Sequence, residues 1–81
     1  MSVTYYVALP TVRTEEGVAP GQGLEAQSES TAIRRAEGMS REPENAGAIA
    51  FKRTGDPNIG SFADAIILKT FGDVPDNLDE L

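Results

Sequence analysis

The segment AGAIAFKRTGDPNIGSFADAIILKTF, residues 46–71, decides the fold of this chain. It contains two segments, 46–54 and 61–71, that predict strands. Between them lies a short stretch bounded by Gly55 and Gly60, with an Asp-Pro pair that favours a turn. The sequence therefore predicts two antiparallel strands joined as a hairpin.

The loop of this hairpin resembles a metal site at first sight, because Asp56, Asn58 and Asp64 follow one another closely. An EF-hand loop requires glycine at its sixth position and glutamate at its twelfth. Counted from Asp56, Gly60 is fifth and Ile67 is twelfth. Too few oxygen ligands converge for a tight site, so the pattern predicts a turn and no bound metal.

Side-chain pairing predicts a register for the hairpin. Setting Lys52 opposite Asp64 pairs opposite charges, and it also sets the large Phe51 opposite the small Ala65. The other pairs of this register are Gly55–Ser61, Ala50–Ile66, Ile49–Ile67 and Ala48–Leu68. In this register Asp64 pairs with Lys52 and is not a metal ligand.

Upstream of the hairpin, residues 3–12 predict a further strand. Pro10 cannot donate a hydrogen bond to a neighbour, which favours an edge position or a bend. Residues 13–23 contain several glycines and a proline, and they predict turn and loop. Residues 24–27 predict at most a short extended piece.

One helix is expected before the hairpin. Ser28 or Ser30 is suited to cap its first turn, and Pro43 ends it by about Glu42. The apolar positions at helical spacing are Ala32, Ile33, Ala36 and Met39, joined by the small Ser40. The opposite side carries Arg34, Arg35, Glu37, Gly38, Arg41 and Glu42.

These elements predict a small α+β domain of β-α-β-β order over residues 1–72. We expect a mainly antiparallel three-stranded sheet with one helix packed on one face. Residues 73–81 contain mostly acidic and polar residues and predict a flexible C-terminal tail.

A single helix covers a single face of such a sheet. The face expected beneath the helix carries Ala48, Ala50, Ile66 and Leu68. The opposite face then needs another cover, either the 14–28 loop or a second subunit. The residues expected to form an interaction surface there are Ile49, Phe51, Ile67 and Tyr5.

Composition argues against several kinds of chemistry. The chain has 81 residues with no histidine and no cysteine, so histidine- or cysteine-based catalysis and thiolate or imidazole metal sites are excluded. Its acids stand in loops, on the solvent side of the helix and near the C-terminus. We therefore expect no enzyme activity and no cofactor. The absence of cysteine, of a signal peptide and of a membrane span favours a cytoplasmic location.

The net charge of −6 opposes binding to nucleic acid or to anionic membranes. Positive charge on the helix is the one feature that points the other way. The candidate contacts for an anion or an acidic partner are Arg34, Arg35 and Arg41. Ordinary solvated charge is the alternative interpretation of these residues.

Two resemblances to known families follow from these segments. The string GAIAFKRTGDPNIGSFADAIILKTFGDVP, with AIRRAEGM before it and YYVALP near the start, resembles a family of small uncharacterised bacterial proteins. That resemblance covers Tyr5 to Pro75 and implies a small cytoplasmic protein, with no activity to transfer. YYVAL followed by STAIRRAEGM is similar to the N-terminal part of the HicB-type antitoxins. Those proteins place a hairpin before the helix, whereas the hairpin predicted here follows it.

The functional expectation is a small non-enzymatic binding or interaction module that self-associates as a homodimer or binds another protein. The alternative is a nucleic-acid-linked regulator or an antitoxin-like protein. In that case the acidic body would bind a basic partner, or the arginines would bind nucleic acid.

Overall fold

A computed structural model describes residues 2–75 of the chain. Its elements in chain order are β1 (Val3–Thr14), β2 (Gly17–Pro20), β3 (Leu24–Ala26), α1 (Glu29–Ser40), β4 (Gly47–Asp56), β5 (Ser61–Phe62) and β6 (Ile66–Gly72). The part of the expected tail from 76 to 81 lies outside the described residues. The α+β class and the single helix on one sheet face are confirmed.

The sheet is built around β1 and β4, which pair antiparallel without interruption from Val3–Gly55 to Thr11–Gly47. β2 and β3 both pair with the free side of β1, and β5 and β6 both pair with the free side of β4. The expected three-stranded sheet and β-α-β-β order are therefore wrong. β2 lies in the region expected to be a loop, and β3 lies within residues 24–27, where a short extended piece was expected. A hairpin therefore precedes the helix as well as following it.

Pro10 lies within a central strand and not at the edge that its missing N–H favours. On one side it pairs with Ala48, and on the other its carbonyl accepts a hydrogen bond from the Gly21 N–H at 2.7 Å. Residues 21–23 separate β2 from β3, the two strands that pair with this side of β1. Strand pairing is therefore interrupted at the position where Pro10 has no N–H to donate. The proline is tolerated because that break removes the need for its hydrogen bond.

The register predicted for the second hairpin is wrong. Phe62 lies opposite Gly55, Ile67 opposite Phe51, and Ile66, not Asp64, opposite Lys52. From the first of these pairs to the second, the outer row advances five residues while β4 advances four. A further shift follows at once, because the next pair is Ala50–Lys69 and Leu68 is the extra residue.

A surface ion pair is a weak determinant of register, since it is worth about 0–1 kcal/mol. The observed register instead sets Phe71 opposite Ala48, on the helix side, where it packs against the core. Burying a large apolar side chain contributes about 1.5–3 kcal/mol. Apolar burial therefore outweighs the Lys52–Asp64 pair that the sequence suggested.

Small side chains form the core between helix and sheet. The buried members are Ala8, Ala26, Ala32, Ala36, Ala48 and Ala50, and Tyr6, Ile33, Met39, Leu68 and Phe71 pack around them. The helical stripe and the placement of Ala48, Ala50 and Leu68 beneath the helix are confirmed. Ile66, which was also expected there, is exposed. Alanines on both surfaces let the helix approach the sheet closely.

Local chemistry sets the ends of the helix and the turn of the second hairpin, as predicted. The Ser28 Oγ accepts a hydrogen bond from the Thr31 N–H at 3.2 Å, and the Arg41 guanidinium donates to the Glu37 carboxylate at 2.6 Å. In the turn, the Asp56 carboxylate accepts from the Asn58 N–H at 2.9 Å, and Gly60 adopts a φ of +69°.

Gly38 offers a direct test of the helix. An added Cβ would meet no atom within 4 Å, so Gly38→Ala is expected to raise the free energy of unfolding by about 0.5–1 kcal/mol through helix propensity. Gly60 is the matched control, because its Cβ position is equally open but its positive φ strains an alanine. Thermal unfolding should show Gly38→Ala stabilised and Gly60→Ala destabilised. Destabilisation by Gly38→Ala would contradict the assigned helix surface.

Candidate interaction surface

The sheet face turned away from the helix is called here the far face. In the central ladder it carries Tyr5 opposite Arg53, Val7 opposite Phe51 and Leu9 opposite Ile49. Side chains alternate along a strand, and the alanines of the helix side occupy the intervening positions. The pattern of the two strands thus places a row of large apolar residues where no helix covers them.

One end of the far face is covered by the chain itself. The Thr11 hydroxyl, which is 0% exposed, donates to the Asp73 carbonyl at 2.7 Å, and the Asp73 N–H donates to the Ala46 carbonyl at 3.1 Å. Gly47 lies opposite Thr11, and a Cβ there would strike the backbone of Asp73. Asp73 therefore lies over the Thr11–Gly47 end of the far face, and residues 73–75 are called here the strap.

The strap changes the place of Ile49 among the candidate residues. Ile49 is 0% exposed and Leu9 beside it is also buried. Val74 and Pro75 of the strap are themselves partly buried. In this conformation Ile49 forms part of the interior beneath the surface and does not itself meet a partner.

Within the part of the chain that the structure describes, the other end of the far face is partly exposed. The Phe62 ring lies over Gly55 and 6.0 Å from the Tyr5 ring, and it is 43% exposed. Val3 beside them is 38% exposed. The apolar residues of this end, called here the open patch, are Val3, Tyr5, Val7, Phe51, Phe62 and Ile67. Three of the four sequence candidates, Tyr5, Phe51 and Ile67, belong to it.

Sequence reasoning missed Phe62 because of the register error. In the predicted register Phe62 would stand opposite Thr54, on the helix side, and a slip of one residue moves a side chain to the other face. Gly55 was the signal that could have corrected it. A glycine in a strand leaves space that an aromatic ring on the neighbouring strand can fill.

The open patch is poor in negative charge although the chain as a whole carries −6. Among the strand residues of the described chain, Glu25 is the one acid that the register places on the far face. Arg53 and Arg13 lie on the same face, and Arg13 approaches the Asp73 carboxylate to 4.0 Å at the closed end. Acidic residues therefore do not separate the apolar side chains of the patch.

The helix arginines lie on the other side of the molecule. Arg34 and Arg35 are exposed, and Arg41 is held by Glu37. The structure therefore does not bring these three residues together with the apolar candidates. They form a separate surface, on which all three side chains are exposed and Arg41 is also paired with Glu37.

Within residues 2–75, no group of three or more His, Cys, Asp or Glu side chains is arranged to hold a metal ion. In the same part of the chain, the one helix is too short to cross a membrane. Comparison with known proteins finds no matching family model, no matching curated protein and no matching solved structure.

The contact between Gly55 and Phe62 can be tested by stability. Gly55→Ala is expected to destabilise the protein by about 1–3 kcal/mol, because the added methyl strikes the Phe62 ring and the Ser61 carbonyl. In a Phe62→Ala background the ring is gone, so the cost should fall by more than about 0.5 kcal/mol. Urea unfolding of the four proteins of this double-mutant cycle measures the difference. Equal costs in both backgrounds would contradict the packing of the ring over Gly55.

Proposed function

We propose that this protein is a non-enzymatic interaction domain that self-associates through the open patch. The observation that carries the proposal is the exposure of Phe62 and Val3 beside the partly exposed Tyr5, Phe51 and Ile67. These side chains share one face and adjacent strands, so they form a contiguous apolar surface. Contiguous exposed apolar surface is typical of a protein-binding site.

Electrostatics supports a second copy of the chain as the occupant. Two molecules that each carry −6 repel one another over most of their surfaces. The open patch is a place where two copies can approach without bringing carboxylates together, because Glu25 is the one acidic strand residue on its face among the described residues. A twofold axis through the patch would pair it with itself and require no other complementary surface.

The size of the patch bears on the strength of the dimer. A standard interface uses about 20–30 residues a side and buries about 800 Å² per partner. The six residues of the open patch can supply only the apolar centre of such an interface. The proposed dimer is therefore weak and depends on protein concentration.

Phe62→Glu tests this proposal. It places a carboxylate within the patch in both copies, so the dissociation constant is expected to rise at least about tenfold. Ile59→Glu is the matched control, because it makes the same change of charge at a side chain that is 74% exposed in the β4–β5 loop. Sedimentation equilibrium over a range of concentrations measures both variants. Added salt should strengthen wild-type association by screening the net charge.

A wild-type protein that sediments as an 8.6 kDa monomer at the highest concentrations would contradict the proposal. Equal weakening of association by the two glutamate substitutions would also contradict it, since general charge repulsion would then explain the effect. Circular dichroism of both variants provides the control for folding.

A second candidate is an antitoxin-like or nucleic-acid-linked regulator. The observation that favours it is the hairpin of β1 with β2 and β3, which precedes α1 as the likeness to HicB-type antitoxins requires. The exposed Arg34 and Arg35 would supply phosphate contacts on the helix. Such contacts would have to act against a net charge of −6.

An electrophoretic shift assay at low salt tests the nucleic-acid part of this candidate. Retardation of duplex DNA should be lost in the double variant Arg34→Ala, Arg35→Ala, because two phosphate contacts disappear. It should be kept in Arg41→Ala, since that guanidinium is engaged by Glu37. Absence of any shift with the wild-type protein at low salt would exclude this role for the arginines.

A further inference from the structure

We propose that the strap, Asp73–Pro75, is a releasable cover that controls how much of the far face a second copy can contact. The inference rests on the proposed self-association and adds its regulation. Its basis is a difference in burial between the two ends of one continuous apolar surface. Leu9 and Ile49 are buried at the closed end, while their neighbours Val7 and Phe51 are only partly buried at the open end.

The strap is held by few interactions compared with the strands beneath it. The described contacts are the Thr11 hydroxyl to the Asp73 carbonyl, the Asp73 N–H to the Ala46 carbonyl, and the exposed Arg13–Asp73 pair at 4.0 Å. An exposed ion pair contributes little to stability. Segments with few bonds open at lower free energy than the core strands.

The backbone at the start of the strap favours such a local opening. Gly72 immediately before it has a φ of +66°, a conformation that glycine adopts without strain. Gly47 below it has no side chain, and a Cβ there would strike the strap backbone. The strap therefore lies directly on the sheet backbone, with no interlocking side chain at this position. It can lift without disturbing the β1–β4 ladder.

Release of the strap would join the two halves of the far face. Thr11 and the neighbouring Ile49 would become accessible beside Phe51, whereas Leu9 also lies beneath Gly23. The apolar surface would then extend along β4 to the Thr11–Gly47 end. A second copy would then dock on a larger area. The affinity of a binder scales with the fraction of molecules in the competent conformation, so the strap would set the strength of the dimer.

Thr11→Val removes the central contact with almost no change of side-chain shape. The Asp73 amide is expected to exchange hydrogen about fivefold faster, the ratio that corresponds to the loss of one hydrogen bond worth about 1 kcal/mol. Thr4→Val is the matched control, since it removes the exposed hydroxyl contact with Thr54 at 2.9 Å, at the opposite end of the ladder. It should leave the Asp73 amide unchanged.

A thiol reporter gives a second measurement of release. The chain has no cysteine, so Ile49→Cys creates a single reactive site under the strap. Labelling of that thiol should be about fivefold faster when Thr11→Val is added, and unchanged when Thr4→Val is added. Unchanged exchange at Asp73 and unchanged labelling at position 49 would both overturn the proposal. Equal acceleration of amides throughout β1 and β4 would do so too, because it indicates global unfolding.

Association is measured separately, so the two proposals fail in different ways. Exchange and labelling are followed at low concentration, where the protein is monomeric. Sedimentation at high concentration should then show Thr11→Val associating at least about fivefold more tightly than the wild type. Release of the strap without tighter association would overturn the regulatory role. A monomeric wild type that nevertheless shows local release at Asp73 would overturn self-association and support the strap as a releasable segment.

Discussion

The uninterrupted antiparallel ladder between β1 and β4 is the constraint on which the rest of the structure depends. Its register fixes which residues face the helix and which face away, because every side chain along a strand changes face at each step. Alanine at positions 8, 48 and 50 lets the helix settle closely on one side. The larger residues Leu9, Ile49 and Phe51 are therefore necessarily on the other side, where the chain has no second helix among its described residues.

The outer rows of the sheet are irregular where the central ladder is regular. The row beside β1 contains one extra residue, between β2 and β3. The row beside β4 contains two, one between β5 and β6 and one at Leu68. Bulges increase twist and bend the strand that carries them. The resulting curled sheet, with the strap, lets a single layer bury Ile49 and Thr11 completely on the face opposite the helix.

Features that depend on neighbours in sequence could be predicted. The Ser28 cap, the alanine stripe and the turn at Asp56 follow from local chemistry, and each is present. The pairing between separate segments could not be predicted from the sequence. Several registers have similar surface chemistry, and only tertiary burial distinguishes them. The choice of a Lys52–Asp64 pair misplaced Phe62, which is the most exposed aromatic residue of the candidate surface. β2 was missed for the same reason: it is short, begins with glycine and ends with proline, and gains its structure from pairing with β1.

A sheet of this size with one helix has an apolar face that must be covered in some way. Among the described residues, Asp73 lies over one end of that face, and Phe62 is exposed at the other. Scattered single apolar residues on a surface carry no functional meaning, but these lie on adjacent strands and on one face. The acids of a chain with net charge −6 are almost absent from the strands of that same face. Exposed apolar surface and locally reduced negative charge thus coincide at one place, and this coincidence supports an interaction surface better than either property alone.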